Sequence, residues 1–251
     1  MILICQCKQA GLVNPDHFKL IREELDKAGI GYTVVDDLCG LAAGGHDVFS
    51  QCEDASDLIV LACYPRAVRA LFHAAGASLP DEAQIENLRT AEDIESIVKQ
   101  LISRGQAGEV QLIEALKEWI PWFPAIDPQR CKNCKLCLSF CLFGVYAKDD
   151  SGKVRVVRPD QCKTNCPACS RVCPYAAIVF PKYHSSPIQG DTVDEAQWKQ
   201  REVPSTLQER LSNNIYTMLR KRSQSTAENI EDLKKLQKTL DIPDEVIEKL
   251  E

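Results

Sequence analysis

Two runs of four cysteines near the middle of the 251-residue chain are the residues best spaced to do chemistry. The first run has the pattern C-x2-C-x2-C-x3-C and consists of Cys131, Cys134, Cys137 and Cys141. The second has the pattern C-x3-C-x2-C-x3-C and consists of Cys162, Cys166, Cys169 and Cys173. A cubane [4Fe–4S] cluster needs four thiolates, of which a short loop supplies three and another stretch of chain the fourth. The two runs therefore predict two [4Fe–4S] clusters.

Two other uses of cysteine fit these runs poorly. Zinc ribbons take four ligands in two CxxC pairs, and they give no reason for two runs of four. Disulfides need an oxidising compartment, and nothing else in the chain indicates one.

The stretch from Pro121 to about Lys182 resembles the bacterial-type two-cluster ferredoxin domain. The resemblance implies that each run supplies three ligands to its own cluster and its last cysteine to the other cluster. One cluster is then expected on Cys131, Cys134, Cys137 and Cys173. The other is expected on Cys162, Cys166, Cys169 and Cys141. The sequence departs from the family pattern in having Leu142 after the first run in place of proline, and a first gap of three residues in the second run.

The composition indicates a globular protein and argues against some partners. Of its residues 45% are hydrophobic, and 30 basic against 36 acidic residues give a formal net charge of -6. An acidic chain without a basic stripe is not expected to bind nucleic acid. The first five residues have no charged leader region, and no apolar run is long enough to span a membrane, so a cytoplasmic location is expected. In that reducing compartment, 13 cysteines indicate metal or redox chemistry.

Alternating strand and helix patterns predict a parallel, Rossmann-like α/β domain over residues 1–107. The predicted strands are Ile2–Cys5, Tyr32–Val35 and Leu58–Ala62. The predicted helices cover residues 15–28, 65–75 and 92–104. Right-handed crossovers would join these strands into one sheet.

Four further segments follow this domain. Residues 108–120 are predicted as a helical connector, with a helix over 109–119, and residues 121–185 as the two-cluster ferredoxin domain. Residues 186–202 are predicted as a polar linker. Residues 203–251 are predicted as a helical extension whose apolar stripes suit docking to a partner. The expected fold class is thus α/β plus α+β with a C-terminal helical extension.

Four of the five N-terminal cysteines lie where predicted strands end. They are Cys5, Cys7, Cys39 and Cys63. Because the carboxyl ends of parallel strands meet at one edge of a sheet, these thiols are expected to lie together. The fifth, Cys52, falls within a helical stretch and is either a spare or a replacement for Cys39.

This region resembles the amino-terminal domain of the A subunit of heterodisulfide reductase. The matching residues are Cys5-Gln6-Cys7, Cys39 and Cys63-Tyr64-Pro65-Arg66. The resemblance covers about the first 75 residues and implies a third [4Fe–4S] cluster on Cys5, Cys7, Cys39 and Cys63. A zinc site and free thiols are the alternatives.

Three other side chains have expected positions beside these sites. Tyr146 and Tyr175 occupy equivalent places after the two cysteine runs and are expected to pack over the clusters. Arg66 is expected on a solvated helix face.

The function predicted is that of an electron-transfer subunit in a cytoplasmic redox complex. The chain has no GxGxxG after a strand and no Walker A sequence, so a flavin or catalytic metal is expected on a partner protein. No catalytic residue is assigned. The alternatives are a thiol/disulfide redox enzyme that uses the N-terminal cysteines, in the manner of heterodisulfide reductase, and a non-catalytic redox sensor.

Overall fold

The computed structural model describes residues 1–115 and 119–200. The predicted helical extension at 203–251 lies outside the described residues. Five parallel strands form the main sheet in the order β4-β3-β1-β2-β5. Their bounds are β1 Ile2–Cys5, β2 Tyr32–Val35, β3 Ile59–Ala62, β4 Gln84–Asn87 and β5 Val110–Ile113. The predicted parallel α/β arrangement is therefore confirmed.

Five helices connect these strands. Their bounds are α1 Pro15–Lys27, α2 Leu38–Gly44, α3 Val48–Glu53, α4 Pro65–Ala74 and α5 Ile94–Arg104. The chain passes from β1 to β2 in one direction and from β2 to β3 in the other, so right-handed crossovers place the helices on both faces of the sheet. Helix α1 packs against α5, and α2 packs against α4. The strand order reverses between β1 and β3, which is the point where sheets of this kind bind ligands.

The prediction of a connector helix over 109–119 is wrong for the first residues of that range. Val110–Ile113 forms β5, which pairs in parallel with β2 from Tyr32 to Val35. The side chains of β5 are largely exposed, because it is the edge strand of the sheet. Gly31 allows the two segments to approach, since a Cβ at this position would lie 2.8 Å from the Cα of Gly108. The sheet therefore extends beyond the predicted boundary at residue 107.

The region that carries the two cysteine runs is built from two antiparallel strand pairs, two short α-helices and a 3₁₀ turn at Pro159–Gln161. One pair joins β6 to β9, and the other joins β7 to β8. The strands are β6 Ala125–Ile126, β7 Tyr146–Lys148, β8 Val154–Val156 and β9 Ile178–Val179. The helices are α6 Leu136–Phe140 and α7 Ala168–Val172.

The cysteine-run region packs directly on the sheet domain. Phe123, Ala125 and Val179 belong to the same buried apolar core as the five-stranded sheet. Gly190, at φ 104°, passes so close to α4 that a Cβ there would lie 2.5 Å from the Cβ of Ala67.

The predicted linker at 186–202 differs from the structure over its described part. Helix α8 spans Glu195–Gln200. Trp198 in this helix is buried, and its indole N–H donates to the carbonyl of Pro174 over 3.1 Å. Because this segment is mostly polar, its composition did not indicate that Trp198 would pack into the core. Among the described helices, none is both long enough and apolar enough to cross a lipid bilayer.

Candidate metal centres

The first three cysteines of the first run lie around the start of α6, together with the last cysteine of the second run. Burial raises the pKa of the Cys137 thiol to about 12, and the neighbouring Cys173 and Cys134 add to the rise. Burial also raises the pKa of Cys173, with further contributions from Cys134 and Cys131. The same four residues line one cavity. The fold thus brings Cys173 to the first run.

The reciprocal arrangement holds at the second run. Burial raises the pKa of Cys162 to about 12, and the nearby Cys166 and then Cys141 add to the rise. Burial raises the pKa of Cys169 as well, and Cys162 and Cys141 are among the thiols that contribute. Cys141 is therefore placed with the second run, although it belongs to the first in sequence.

Residues in left-handed conformation shape the loops between these cysteines. Asn133 has φ 52° and Asn165 has φ 62°, each directly before the second cysteine of its run. Asparagine adopts this conformation more readily than most residues. Asn133 also fixes its loop, because its side-chain amide donates to Gly152 O and its side-chain oxygen accepts from the N–H of Val154, both over 3.0 Å.

The two tyrosines that follow the runs are placed differently. Tyr146 is buried, and its hydroxyl interacts with the neighbouring Cys169 thiol but makes no other hydrogen bond with the described residues. Burial raises its pKa well above the ordinary value, and the adjacent Cys169 and Cys137 contribute to the rise. Tyr175 is 38% exposed and lines the cavity of the first cysteine set. Tyr146 thus packs among cysteines of both runs, whereas Tyr175 lies at the rim of the first set.

The four N-terminal cysteines at predicted strand ends come together where the strand order reverses. Cys5 ends β1, and burial raises its pKa well above the usual value, with Cys7 and Asp37 as further causes. Burial raises the pKa of Cys63 to about 12, and Cys7 adds to the rise. Burial and the adjacent Asp37 raise the pKa of Cys39, and Cys63 and Cys7 contribute as well. Cys7 has φ 52°, a left-handed conformation that turns the chain out of β1.

Cys52 is not part of this group. Its thiol donates to the thioether sulfur of Met1 over 3.9 Å. Burial raises its pKa to about 12, and the N-terminal ammonium opposes the rise, whereas the four grouped thiols contribute nothing. Met1 precedes β1, so Cys52 lies at the amino end of the sheet, and the structure brings Cys39 rather than Cys52 to the group.

Two cations next to the N-terminal thiols were missed by reasoning from the sequence. Lys182 forms an ion pair with Asp37 at 2.5 Å, and its positive charge lowers the pKa of Cys7 and Cys39 against the effect of burial. The positive charge of Arg89 likewise opposes the effect of burial and lowers the pKa of Cys7 and Cys63. Neither residue belongs to a motif, so only the contacts between distant segments identify them.

Arg66 is not on a solvated helix face, contrary to the prediction. Its guanidinium donates to the carbonyls of Ala176 at 2.6 Å and Asp191 at 3.0 Å. It also forms an ion pair with Asp127, whose side chain is 5% exposed. Arg66 therefore fastens α4 to the cysteine-run region.

The surroundings of the thiols suit [4Fe–4S] clusters. The N–H of Ala177 donates to Cys173 Sγ, and the N–H of Leu38 donates to Cys5 Sγ, each over 3.4 Å. Such bonds stabilise a thiolate ligand and tune the cluster potential. The four thiolates of a cubane bind four different iron atoms, so they surround the cluster rather than converge on one point. Within residues 1–115 and 119–200, no group of three or more His, Cys, Asp or Glu side chains is placed to hold a single metal ion.

Comparison with known proteins identifies two relatives from the archaeon Methanocaldococcus jannaschii. One is described as an uncharacterized ferredoxin and is 52% identical over 63 residues, which make up 25% of this chain and 42% of that protein. The other is the pyruvate synthase subunit PorD, which is 33% identical over 60 residues, or 24% of this chain and 67% of that subunit. The chain thus spans less than half of the first relative. No protein-family model and no solved structure matches the chain.

Proposed function

We propose that the chain is the electron-transfer subunit of a multi-subunit redox complex. The premise is that about a quarter of its length is similar to ferredoxin-type iron–sulfur proteins. The similarity to a ferredoxin and to PorD supports an iron–sulfur electron-transfer role. PorD is named as a subunit of pyruvate synthase, and this supports the proposal that the present chain also works with partner proteins.

The observation that carries the proposal is the exchange of cysteines between the two runs. Cys173 lies with the first run, and Cys141 lies with the second. We assign one [4Fe–4S] cluster to Cys131, Cys134, Cys137 and Cys173, and the other to Cys162, Cys166, Cys169 and Cys141. The exchange is the ligand pattern of two-cluster ferredoxins.

A third [4Fe–4S] cluster is proposed on Cys5, Cys7, Cys39 and Cys63. The support is their proximity at the point where the strand order reverses, and the N–H of Leu38 that donates to Cys5. Three of these thiols are at most 8% exposed. Such burial disfavours a thiol/disulfide enzyme, because a substrate disulfide must reach the attacking sulfur.

When bound, the clusters supply one-electron transfer, and the protein supplies their separation from water and from each other. Trp122 and Phe180 stack at 5.3 Å between ring centroids, in the buried core that also contains Cys169 and Cys173. The same two aromatic residues and Cys39 line one small pocket. A buried aromatic pair thus lies next to Cys39 and within the core that contains Cys169 and Cys173. A partner that holds a flavin or a catalytic metal would complete the complex.

The proposal is tested by iron content together with the exchange of ligands. Protein prepared without oxygen should contain about eight iron atoms with two clusters and about twelve with three. Cys141→Ser should damage the cluster of the second run, and Cys173→Ser that of the first, as seen in the electron paramagnetic resonance spectra of the reduced protein. Cys52→Ser is the matched control and should leave iron content unchanged. About four irons, or damage confined to the run that carries each substitution, would contradict the assignment.

A further inference from the structure

An ion pair buried beside the N-terminal thiols joins two distant parts of the chain. Lys182 lies just after β9, and Asp37 lies between β2 and α2. Their side chains are 6% and 1% exposed. The carboxylate of Asp37 also accepts from the N–H of Gly40 at 3.0 Å and caps α2, the helix that carries Cys39. The Lys182 ammonium is thus held in a fixed place beside that cysteine.

Lys182 and Cys39 line the same small pocket, together with Phe180. The positive member of the buried ion pair is therefore placed next to one of the four N-terminal thiols.

The same segment also holds a second cation in place. Arg89 donates to the carbonyl of Pro181 at 3.0 Å, and its guanidinium lies 5.1 Å from the ring centroid of Tyr64. Tyr64 directly follows Cys63, so the Arg89 guanidinium is also placed close to that thiol. Residues 181–182 thus bring one cation to the site and hold another, although all four thiols belong to the sheet domain.

We propose that Lys182 raises the reduction potential of the N-terminal site. Its fixed positive charge stabilises the negative charge that the site gains on reduction, so that electrons from the ferredoxin region are accepted more readily. This inference rests on the proposed third cluster. One electron leaves a reduced ferredoxin cluster and enters the N-terminal site. No bond forms or breaks in this step.

The test is a redox titration of the full-length protein, followed by electron paramagnetic resonance. The signal that disappears in Cys63→Ser identifies the N-terminal site. Lys182→Met should reduce the equilibrium constant for one-electron reduction of that site at least tenfold, a fall of about 59 mV. Lys182→Arg keeps the charge and should stay within about threefold of the wild-type constant. Lys19→Met, which removes an equal charge from the surface of α1, should leave the potential unchanged.

Lys182→Met leaves the Asp37 carboxylate buried without its ion-pair partner, and this could disrupt the N-terminal site itself. A second pair of variants keeps the inference testable in that case. Asp37→Asn keeps Lys182 and the cap of α2, whereas the double variant Asp37→Asn/Lys182→Met lacks both charges. The double variant should show the same tenfold weaker reduction relative to Asp37→Asn.

The outcomes separate this inference from the function on which it rests. An unchanged potential in Lys182→Met, or equal potentials in Asp37→Asn and the double variant, would overturn the role of Lys182 while leaving the third cluster intact. An equal fall in Lys182→Arg would also overturn it, because the charge would then not be the cause. A wild-type protein with only the two ferredoxin signals would contradict the third cluster itself, and Lys182 would then have no such role.

Discussion

The hydroxyl of Tyr146 is a buried polar group whose hydrogen-bond neighbour among the described residues is the Cys169 thiol. A buried hydroxyl without a partner would cost about 1–3 kcal/mol, so its position beside Cys169 requires a reason. A thiolate that binds iron accepts hydrogen bonds, and a donor next to it stabilises the reduced, more negative state. Tyr146 therefore has the position of a residue that would adjust the potential of the cluster proposed at the second run.

We expect Tyr146→Phe to lower the potential of the cluster on Cys162, Cys166, Cys169 and Cys141. The loss of one hydrogen bond of about 1 kcal/mol corresponds to roughly 40 mV for a one-electron couple. Tyr175→Phe is the matched control, since its side chain is partly exposed, and it should have little effect on that cluster. A redox titration of both variants checks this. Equal potentials in wild-type protein and Tyr146→Phe would show that the hydroxyl makes no such bond.

At the scale of elements, the position of β5 depends on two glycines that face each other. Gly31 precedes β2 and Gly108 precedes β5, and their backbones approach so closely that neither tolerates a side chain easily. A short edge strand buries little apolar surface of its own, so its pairing depends on this approach. The sheet edge at β5 is therefore sensitive to a single methyl group.

Gly31→Ala is expected to destabilise the protein by about 1–3 kcal/mol, because its Cβ would overlap the Gly108 backbone. Gly44→Ala is the control, since Gly44 lies in helix α2 and a Cβ there meets nothing within 4 Å. It should be neutral or stabilising by up to about 1 kcal/mol. The midpoints of urea unfolding under anaerobic conditions measure both effects. Equal midpoints for the two variants would contradict the close approach of β2 and β5.

At the scale of the whole molecule, the sheet domain and the ferredoxin region are fastened by buried polar contacts as well as by apolar packing. Arg66 donates to carbonyls at Ala176 and Asp191 and pairs with Asp127. Lys182 and Arg89 make further contacts across the same boundary. Polar contacts of this kind require one relative orientation, which keeps the three cysteine sets at fixed separations.

We expect Arg66→Met to cost roughly 2–4 kcal/mol, because the substitution leaves the buried Asp127 carboxylate without its ion-pair partner. Arg69→Met removes the same charge from the exposed side of the same helix and should cost less than about 0.5 kcal/mol. Hydrogen exchange of α4 and unfolding midpoints measure the difference. Equal unfolding midpoints and equal exchange of α4 in the two arginine variants would show that Arg66 does not hold the sheet domain and the ferredoxin region together.

The sequence alone determined what depends on neighbours in the chain. The spacing of the two cysteine runs predicts iron–sulfur ligands because a loop of a few residues can supply three thiolates whatever surrounds it. The apolar runs at β1 and β3 predict central parallel strands because both faces of such strands are buried. The four N-terminal cysteines could be predicted to meet because parallel strands end at one edge of a sheet.

Only the tertiary structure decided what depends on residues distant in sequence. Val110–Ile113 forms a strand because its backbone N–H and C=O groups pair with the open edge of β2. The residues of this segment do not by themselves indicate that pairing. Cys52 is separated from the other thiols because α3 carries it to the amino end of the sheet, beside Met1. Lys182 lies beside Asp37, 145 positions away, because the ferredoxin region packs on the sheet domain. A charge of that kind carries no spacing pattern, so its role depends entirely on the folded arrangement.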